Sequence, residues 1–226
     1  MNILGIIPAR GGSKGIPMKN LIKLNGKTLL NYSINSSLNS KYITKTIVST
    51  DDEKITNHSK KLKVEVISRP KKLATDKAHI ESVIEHSLNY LQKNHDYIPD
   101  LIVLLQNTSP LRTSKHVDAA LKFFSKNKYD SILSAYPSHK FLWEKQRNNF
   151  KSINYDPLKR PNRQDMNDQY IENGAIYITK YTSFKKTKCR ISGKIGIFKM
   201  SEDDSIDIDT TFDLLHAQLI LKSKKK

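Results

Sequence analysis

Arg10, Lys14 and Lys19 stand on one glycine-containing loop, in the stretch IIPARGGSKGIPMKN at residues 6–20. Cations this close repel one another unless an anion sits between them. Gly11, Gly12 and Gly15 let the backbone approach such an anion and turn N–H groups toward it. A forked guanidinium and two compact ammonium groups suit the several charges of a polyphosphate. The pattern is neither of the common glycine signatures. Gly11-Gly12-Ser13-Lys14-Gly15 does not supply G-x-G-x-x-G. Gly26-Lys27-Thr28 matches the end of a P-loop, but Leu21 stands where its first Gly must be. Both absences argue against a dehydrogenase and a P-loop ATPase. A solvated glycine turn is the plainer reading of the same residues.

Three further stretches could do chemistry. In SIDIDTTFDLLHAQ, residues 205–218, Asp207 and Asp209 are two apart in an extended run. That spacing points both carboxylates one way and Ile206 and Ile208 the other. Paired carboxylates suit Mg²⁺, which takes carboxylates, waters and substrate phosphates; a hydrated turn fits equally well. Thr210 with Asp213 reads as a helix cap. In LLQNTSPLR, residues 104–112, a polar cluster follows a fully apolar run. Gln106, Thr108, Ser109 and Arg112 could recognise a hydroxylated ligand, or the cluster could be a helix cap with Arg112 on the surface. Arg160 and Arg163 precede YIENGAIYI and could clamp a carboxylate bidentately, although a lone arginine is more often a surface charge.

These residues need a frame. Strands are expected at 2–8, 43–50, 64–67, 101–105, 131–136, 170–178, 195–199 and 206–208, from short β-branched runs closed by turn residues. The 170–178 strand should kink or bulge at Gly174. Helical spacing appears from Thr28 to Leu38, around Val83, Ile84, Leu88 and Leu91, and after a Ser114 cap with Val117, Ala120, Leu121 and Phe124 inward. Thr50-Asp51-Asp52 suits a cap for a helix after the second strand. A last helix should turn Phe212, Leu215 and Leu219 inward. Strands alternating with helices predict an α/β fold: a three-layer, Rossmann-like arrangement on a mostly parallel mixed sheet. Ligands then bind beyond the carboxyl ends of the strands, where the polar clusters fall. Between 137 and 168 the alternation weakens, which predicts an excursion from the sheet. No linker is evident, so 1–226 reads as one domain with a basic tail at 222–226.

The chain has 226 residues and a formal charge of +17. Lysine is spread over the whole chain and no nucleic-acid reader motif accompanies it, so a basic nucleic-acid-binding protein is the weaker alternative. No run approaches the ~20 apolar residues that span a bilayer, and the N-terminus enters a strand without a signal-peptide pattern. The single cysteine, Cys189, excludes an internal disulfide and a cysteine-based zinc site. A cytoplasmic protein is expected.

Six segments in order, IIPARGGSKGIPMKN, STDDEKI, RPKKLATDKAH, LLQNTSPLR, RQD…YIENGAIYI and IDIDTTFDL, resemble the cytidylyltransferases that activate nine-carbon α-keto sugar acids. These are the CMP-N-acylneuraminate (sialic acid) synthetases and their legionaminic acid relatives. The resemblance covers nearly the whole chain. It implies a nucleotide-sugar transferase fold and transfer of CMP from CTP to a nonulosonic acid with Mg²⁺. By this resemblance Arg10, Ser13, Lys14 and Lys19 meet the phosphates and Asn20 lies nearby, with Arg10, Lys19 and Asp209 in catalysis. Arg69 and Ala78 would contact the cytosine, Gln106 and Arg163 the sugar acid, and Asp207 and Asp209 the metal. It also implies a homodimer in which the 137–168 excursion reaches the neighbouring subunit's site. Asn107 departs from the family, which more often has Pro there; DKAHIES departs from its serine-rich run. Gly15 tilts the reading from the pseudaminic acid enzymes, which usually carry Arg. Pseudaminic acid or Kdo remains the alternative substrate.

Overall fold

Apolar runs that are buried on both sides form the centre of the main sheet. The computed structural model describes residues 1–13 and 15–224; Lys14 and the tail residues 225–226 lie outside the described residues. The strands are β1 (Ile3–Pro8), the small pair β2 (Lys23–Leu24) and β3 (Lys27–Thr28), β4 (Lys45–Thr50), β5 (Glu65–Ser68), β6 (Leu101–Leu104), β7 (Ser131–Pro137), β8 (Trp143–Gln146), β9 (Asn149–Ser152), β10 (Tyr170–Lys180) and β11 (Ile195–Lys199). The helices are α1 (Leu29–Leu38), α2 (Glu53–Lys61), α3 (Ile80–His95), α4 (Ser114–Asn127), α5 (Tyr181–Thr187) and α6 (Thr211–Ser223).

Seven strands form one sheet in the order β11-β7-β10-β6-β1-β4-β5. β10 runs antiparallel to both its neighbours and the other pairings are parallel, as a mostly parallel mixed sheet requires. Helices cover both faces. Leu30, Ile34, Ile55, Val117, Leu121 and Phe124 pack on one side, Ile84, Leu88, Leu91 and Phe184 on the other. The chain moves from β1 outward through β4 and β5, then returns across α3 to β6 on the far side of β1. That reversal opens a crevice beyond the ends of β1 and β6.

Local chemistry sets the helix starts. Asp52 caps α2 through Ile55 N, and Thr210 with Asp213 forms a capping box on α6. α4 is capped by Thr113 rather than Ser114, with His116 closing its capping box.

Two expectations for the stretch 206–223 fail. Residues 206–208 are extended but join no sheet; Ile208 N donates to Thr108 O at 2.8 Å. The alternation still holds: Ile208 is buried in a third small core with Ile16, Leu24, Leu29 and Ala217, and Ile206 packs against it. Phe212, Leu215 and Leu219 face outward, at 75%, 58% and 64% exposed, and α6 buries Ala217 instead. This helix is apolar nearly all round, so its pattern could not choose a face. Packing of Ala217, Leu214 and Leu221 on the small core sets the rotation.

Residues 138–169 leave the sheet. β8 and β9 form a separate hairpin, exposed along its length. Arg160 stacks on Phe141 at 4.3 Å, and Phe141 meets Tyr155 at 4.5 Å.

The crevice is held from beneath by a buried arginine. Arg112 is 1% exposed and has no carboxylate partner among the described residues. Its Nη1 donates to Gln106 O and Ala175 O, both at 2.9 Å; Nη2 reaches Ser33 Oγ at 2.8 Å and Nε Ser36 Oγ at 3.1 Å. Burial pushes the guanidinium down to about 9, still charged at neutral pH. The surface or ligand-contact reading of Arg112 is therefore corrected: it ties the loop after β6 to β10 and α1. Beside it β10 bulges between Glu172 and Tyr177, and Gly174 takes φ +68°. Arg112→Ala should lower stability by about 3 kcal/mol, because it empties a packed site and leaves the buried Ala175 carbonyl without its donor. Urea unfolding checks this; a loss below ~1 kcal/mol would show that the loop holds itself.

Candidate active site

A cavity of about 410 Å³ fills the crevice, lined by residues from four segments: the opening loop, 69–83, 106–108 and Asp209. Arg10, Ser13, Lys19, Asn20, Arg69, Ala78, Gln106 and Asp209 all line it. Thus eight residues named from sequence are brought together by the fold. Lys14 falls outside the described residues. Asp207 does not line the cavity itself but adjoins Asp209. Arg163 lies on a short exposed turn in the excursion and does not reach the cavity of its own chain.

The opening loop is pinned at both ends. Pro8 ends β1, and Gly11 N donates to Asp51 Oδ1 at 3.1 Å. A Cβ at Gly11 would press on Asp52, and one at Gly15 would sit 2.5 Å from the backbone oxygen of Asp209. Glycine at 15 is thus what lets the first loop approach the late 205–210 segment. Lys19, on a turn at 19–21, completes that junction. Its Nζ donates to Ile208 O and to Asp209 Oδ1, both at 2.9 Å. Lys19 is largely buried, whereas Asp209 stays open to solvent.

The carboxylates differ. Burial pushes the Asp207 carboxyl above its ordinary value, and neighbouring Asp209 and Asp213 add to this; the Thr108 hydroxyl and Lys19 oppose it. Its surroundings leave it short of positive charge, and a divalent cation would supply it. Among the described residues no cluster of three or more His, Cys, Asp or Glu could form a cage for a metal. Two carboxylates with substrate phosphates is the arrangement Mg²⁺ commonly accepts. The donor set fits that ion.

Arg69 is buried, with Nη2 on Ser49 O at 2.6 Å and Nε on Ser49 Oγ at 3.2 Å. Burial brings its guanidinium down to about 10, with Arg10 contributing and Asp51 opposing. Around it Leu73, Ala78, Ile80 and Val83 give the cavity an apolar wall. Gln106, also in the lining, lies against the bulge in β10; a side chain at Gly174 would collide with its Oε1.

Sequence reasoning missed Asp76. It lines the cavity and pairs with Arg10 Nη2 at 2.7 Å. It stands inside the quoted RPKKLATDKAH, but a lone Asp on a turn carries no signal of its partner. Asn107 was noted only as a departure. The fold places it in the cavity wall, donating to Pro8 O and Asn20 Oδ1.

The cytidylyltransferase family model matches residues 4–222. An N-acylneuraminate cytidylyltransferase of Escherichia coli is 33% identical over 229 residues, covering 99% of this chain and 53% of that protein. One from Streptococcus agalactiae serotype V is 31% identical, covering 96% and 52%, and N-acylneuraminate cytidylyltransferase A of Danio rerio is 31% identical, covering 94% and 49%. The chain spans about half the length of these curated relatives. Among solved structures, a CMP:2-keto-3-deoxy-manno-octonic acid synthetase complexed with CTP matches with a TM-score of 0.72 at 14% identity, covering 99% of this chain and 100% of that one. A 4-diphosphocytidyl-2C-methyl-D-erythritol synthase matches with a TM-score of 0.69 at 10% identity, covering 97% and 99%. At these identities the structures speak to the fold, which they share. The family match extends over nearly all of the sequence and includes every segment that builds the cavity, and the chain belongs to the cytidylyltransferase family.

Proposed function

We propose that the chain transfers CMP from CTP to a nine-carbon 2-keto-3-deoxy sugar acid of the sialic or legionaminic type, releasing pyrophosphate. The observation that carries this reading is the junction of Lys19 with Asp209 at the cavity. It joins a basic glycine loop to a carboxylate pair, as a triphosphate with a divalent cation requires. The apolar wall with Arg69 and Ala78 suits a flat base. Gln106, on the β10 side, faces the half left for the sugar acid.

The anomeric 2-hydroxyl attacks the α-phosphorus; a new P–O bond forms, the α–β anhydride bond breaks, and the hydroxyl proton is lost to solvent. Little covalent work falls to the protein, so positioning and charge neutralisation dominate. Lys19 and Arg10 hold the phosphates and offset the charge that builds on the leaving pyrophosphate. Lys14 belongs to the same loop by resemblance. Arg10 must exchange Asp76 for phosphate to do so. Asp207 and Asp209 would hold Mg²⁺, which when bound polarises the α-phosphate and offsets its charge.

Arg163 acts on the sugar carboxylate in this reading, from a second copy of the chain. Support comes from the excursion, which exposes Leu142, Trp143, Phe150, Ile153 and Leu158, none of which lines its own cavity. Gly15 supports the sialic or legionaminic side by resemblance, since the pseudaminic acid enzymes usually carry an arginine at that position. No helix among the described residues is long and apolar enough to cross a membrane. The nucleotide substrate and the single cysteine suit the cytoplasm.

Pyrophosphate release with CTP, Mg²⁺ and a panel of nonulosonic acids tests the reading. Turnover of a sialic or legionaminic acid is expected; turnover of Kdo or pseudaminic acid alone would overturn the substrate class. Lys19→Ala should lower kcat/KM for CTP about tenfold or more, a lost charge-assisted contact of roughly 1.5–3 kcal/mol. Unchanged CTP kinetics in a folded variant would remove the loop from the site. Arg163→Ala should raise KM for the sugar acid while leaving KM for CTP near its wild-type value. Separate saturation curves decide this, and an effect on CTP alone would show that the excursion serves the nucleotide.

A further inference from the structure

Asn20 and Asn107 stand together in the cavity wall, 8% and 3% exposed. Backbone carbonyls orient both amides. Asn20 Nδ2 donates to Arg10 O at 2.8 Å, which leaves Asn20 Oδ1 as an acceptor on the other side. Asn107 Nδ2 donates to that Oδ1 at 3.0 Å and to Pro8 O at 2.9 Å. Turning the Asn107 amide over would set its oxygen against two oxygens, so the orientation is determined by the network. Asn107 Oδ1 is left buried with no donor. Such atoms are uncommon in folded proteins, and each one calls for a reason.

Two consecutive side chains after β6 serve different halves of the cavity. Gln106 turns to the bulge at Gly174 in β10. Asn107 turns to β1 and the phosphate loop through Pro8 O and Asn20. In the nucleotide half, Lys19 and Arg10 mark the phosphate end and the wall of Leu73, Ala78 and Ile80 the base end. The part of a nucleotide between its phosphates and its base is the ribose, whose hydroxyls are neutral donors. We propose that Asn107 Oδ1 accepts a hydrogen bond from a ribose hydroxyl and so selects ribonucleotides over deoxyribonucleotides. This rests on the cytidylyl-transfer reading above. The oxygen is buried on a side chain that lines the cavity, and a turn about its broad terminal torsion is what would bring it to the ligand. A deoxy analogue leaves it unpaired, and a site built to bind a hydroxyl rejects ligands that lack one.

The test compares kcat/KM for CTP, 2′-deoxy-CTP and 3′-deoxy-CTP, with calorimetric binding of each nucleotide in the absence of sugar acid. Wild type should prefer CTP over at least one deoxy analogue by about tenfold or more. Asn107→Leu, which keeps the volume and removes the acceptor, should bring that preference to within about threefold, without changing KM for the sugar acid. Asn107→Ala removes the same acceptor in a smaller side chain and should lose the preference likewise, so the proposal stands or falls even if the leucine variant does not fold. An undiscriminating wild type, or a folded Asn107→Leu or Asn107→Ala with undiminished preference, overturns the proposal. A change confined to the sugar-acid KM also overturns it, by placing Asn107 on the other half of the cavity. No saturable CTP binding by wild type would overturn the cytidylyl-transfer reading itself, a result distinct from binding without discrimination.

Discussion

The bond network of Lys19 joins the two ends of the molecule. Its ammonium group, held on Ile208 O and Asp209 Oδ1, ties residue 19 to a segment 190 positions away. Without that tie the basic loop and the carboxylate pair would be separate charged turns. With it they form one corner of the cavity, in which like charges are interleaved with opposite ones. Gly15 is part of the same constraint, since only a residue without a side chain lets the loop touch the Asp209 backbone. Ile208, buried with Ile16, Leu24 and Leu29, supplies the apolar support behind the polar contact.

The sheet brings the other residues to that corner. Strand order reverses at β1, so the loops after β1 and β6 leave the sheet as neighbours. Arg112 then fixes the second loop from inside. Its guanidinium spends four hydrogen bonds on two backbone carbonyls and two serine hydroxyls, joining β6, β10 and α1. A buried charge satisfied by neutral oxygens sets direction without adding an anion that would compete with the substrate. Asp51 and Asp76 work differently: they hold the basic loop, Asp51 through Gly11 N and Asp76 through Arg10.

Much of this was legible in the sequence, for identifiable reasons. Strands such as Leu101–Leu104 are short apolar runs, and Asp52 and Thr210 have the side chains that caps require. The site clusters were visible because polar groups directly after a buried strand have no packing role there. What stayed hidden depends on distant partners. Arg112 in SPLR looks like any surface arginine until α1 and β10 close over it. Asp76 means little until Arg10 is beside it. The face of α6 could not be read because Phe212, Leu214, Leu215, Leu219 and Leu221 surround the helix; the small core around Ile208 decides. The 206–208 run has strand alternation but no neighbour to pair with, and takes its order from Thr108 and the small core.

The central claim is that the carboxylates beside Lys19 bind the divalent cation of the nucleotide. Initial rate against Mg²⁺ concentration for wild type and Asp209→Asn, with thermal melts of both, tests it most directly. Asn keeps an Oδ1 acceptor for Lys19, and the Asp209 side chain is 72% exposed, so the variant should stay folded with a stability loss of about 1 kcal/mol or less. The account predicts a folded variant with a severely reduced rate that needs more Mg²⁺ to approach its own maximum. A folded variant with normal rate and normal Mg²⁺ dependence would contradict it.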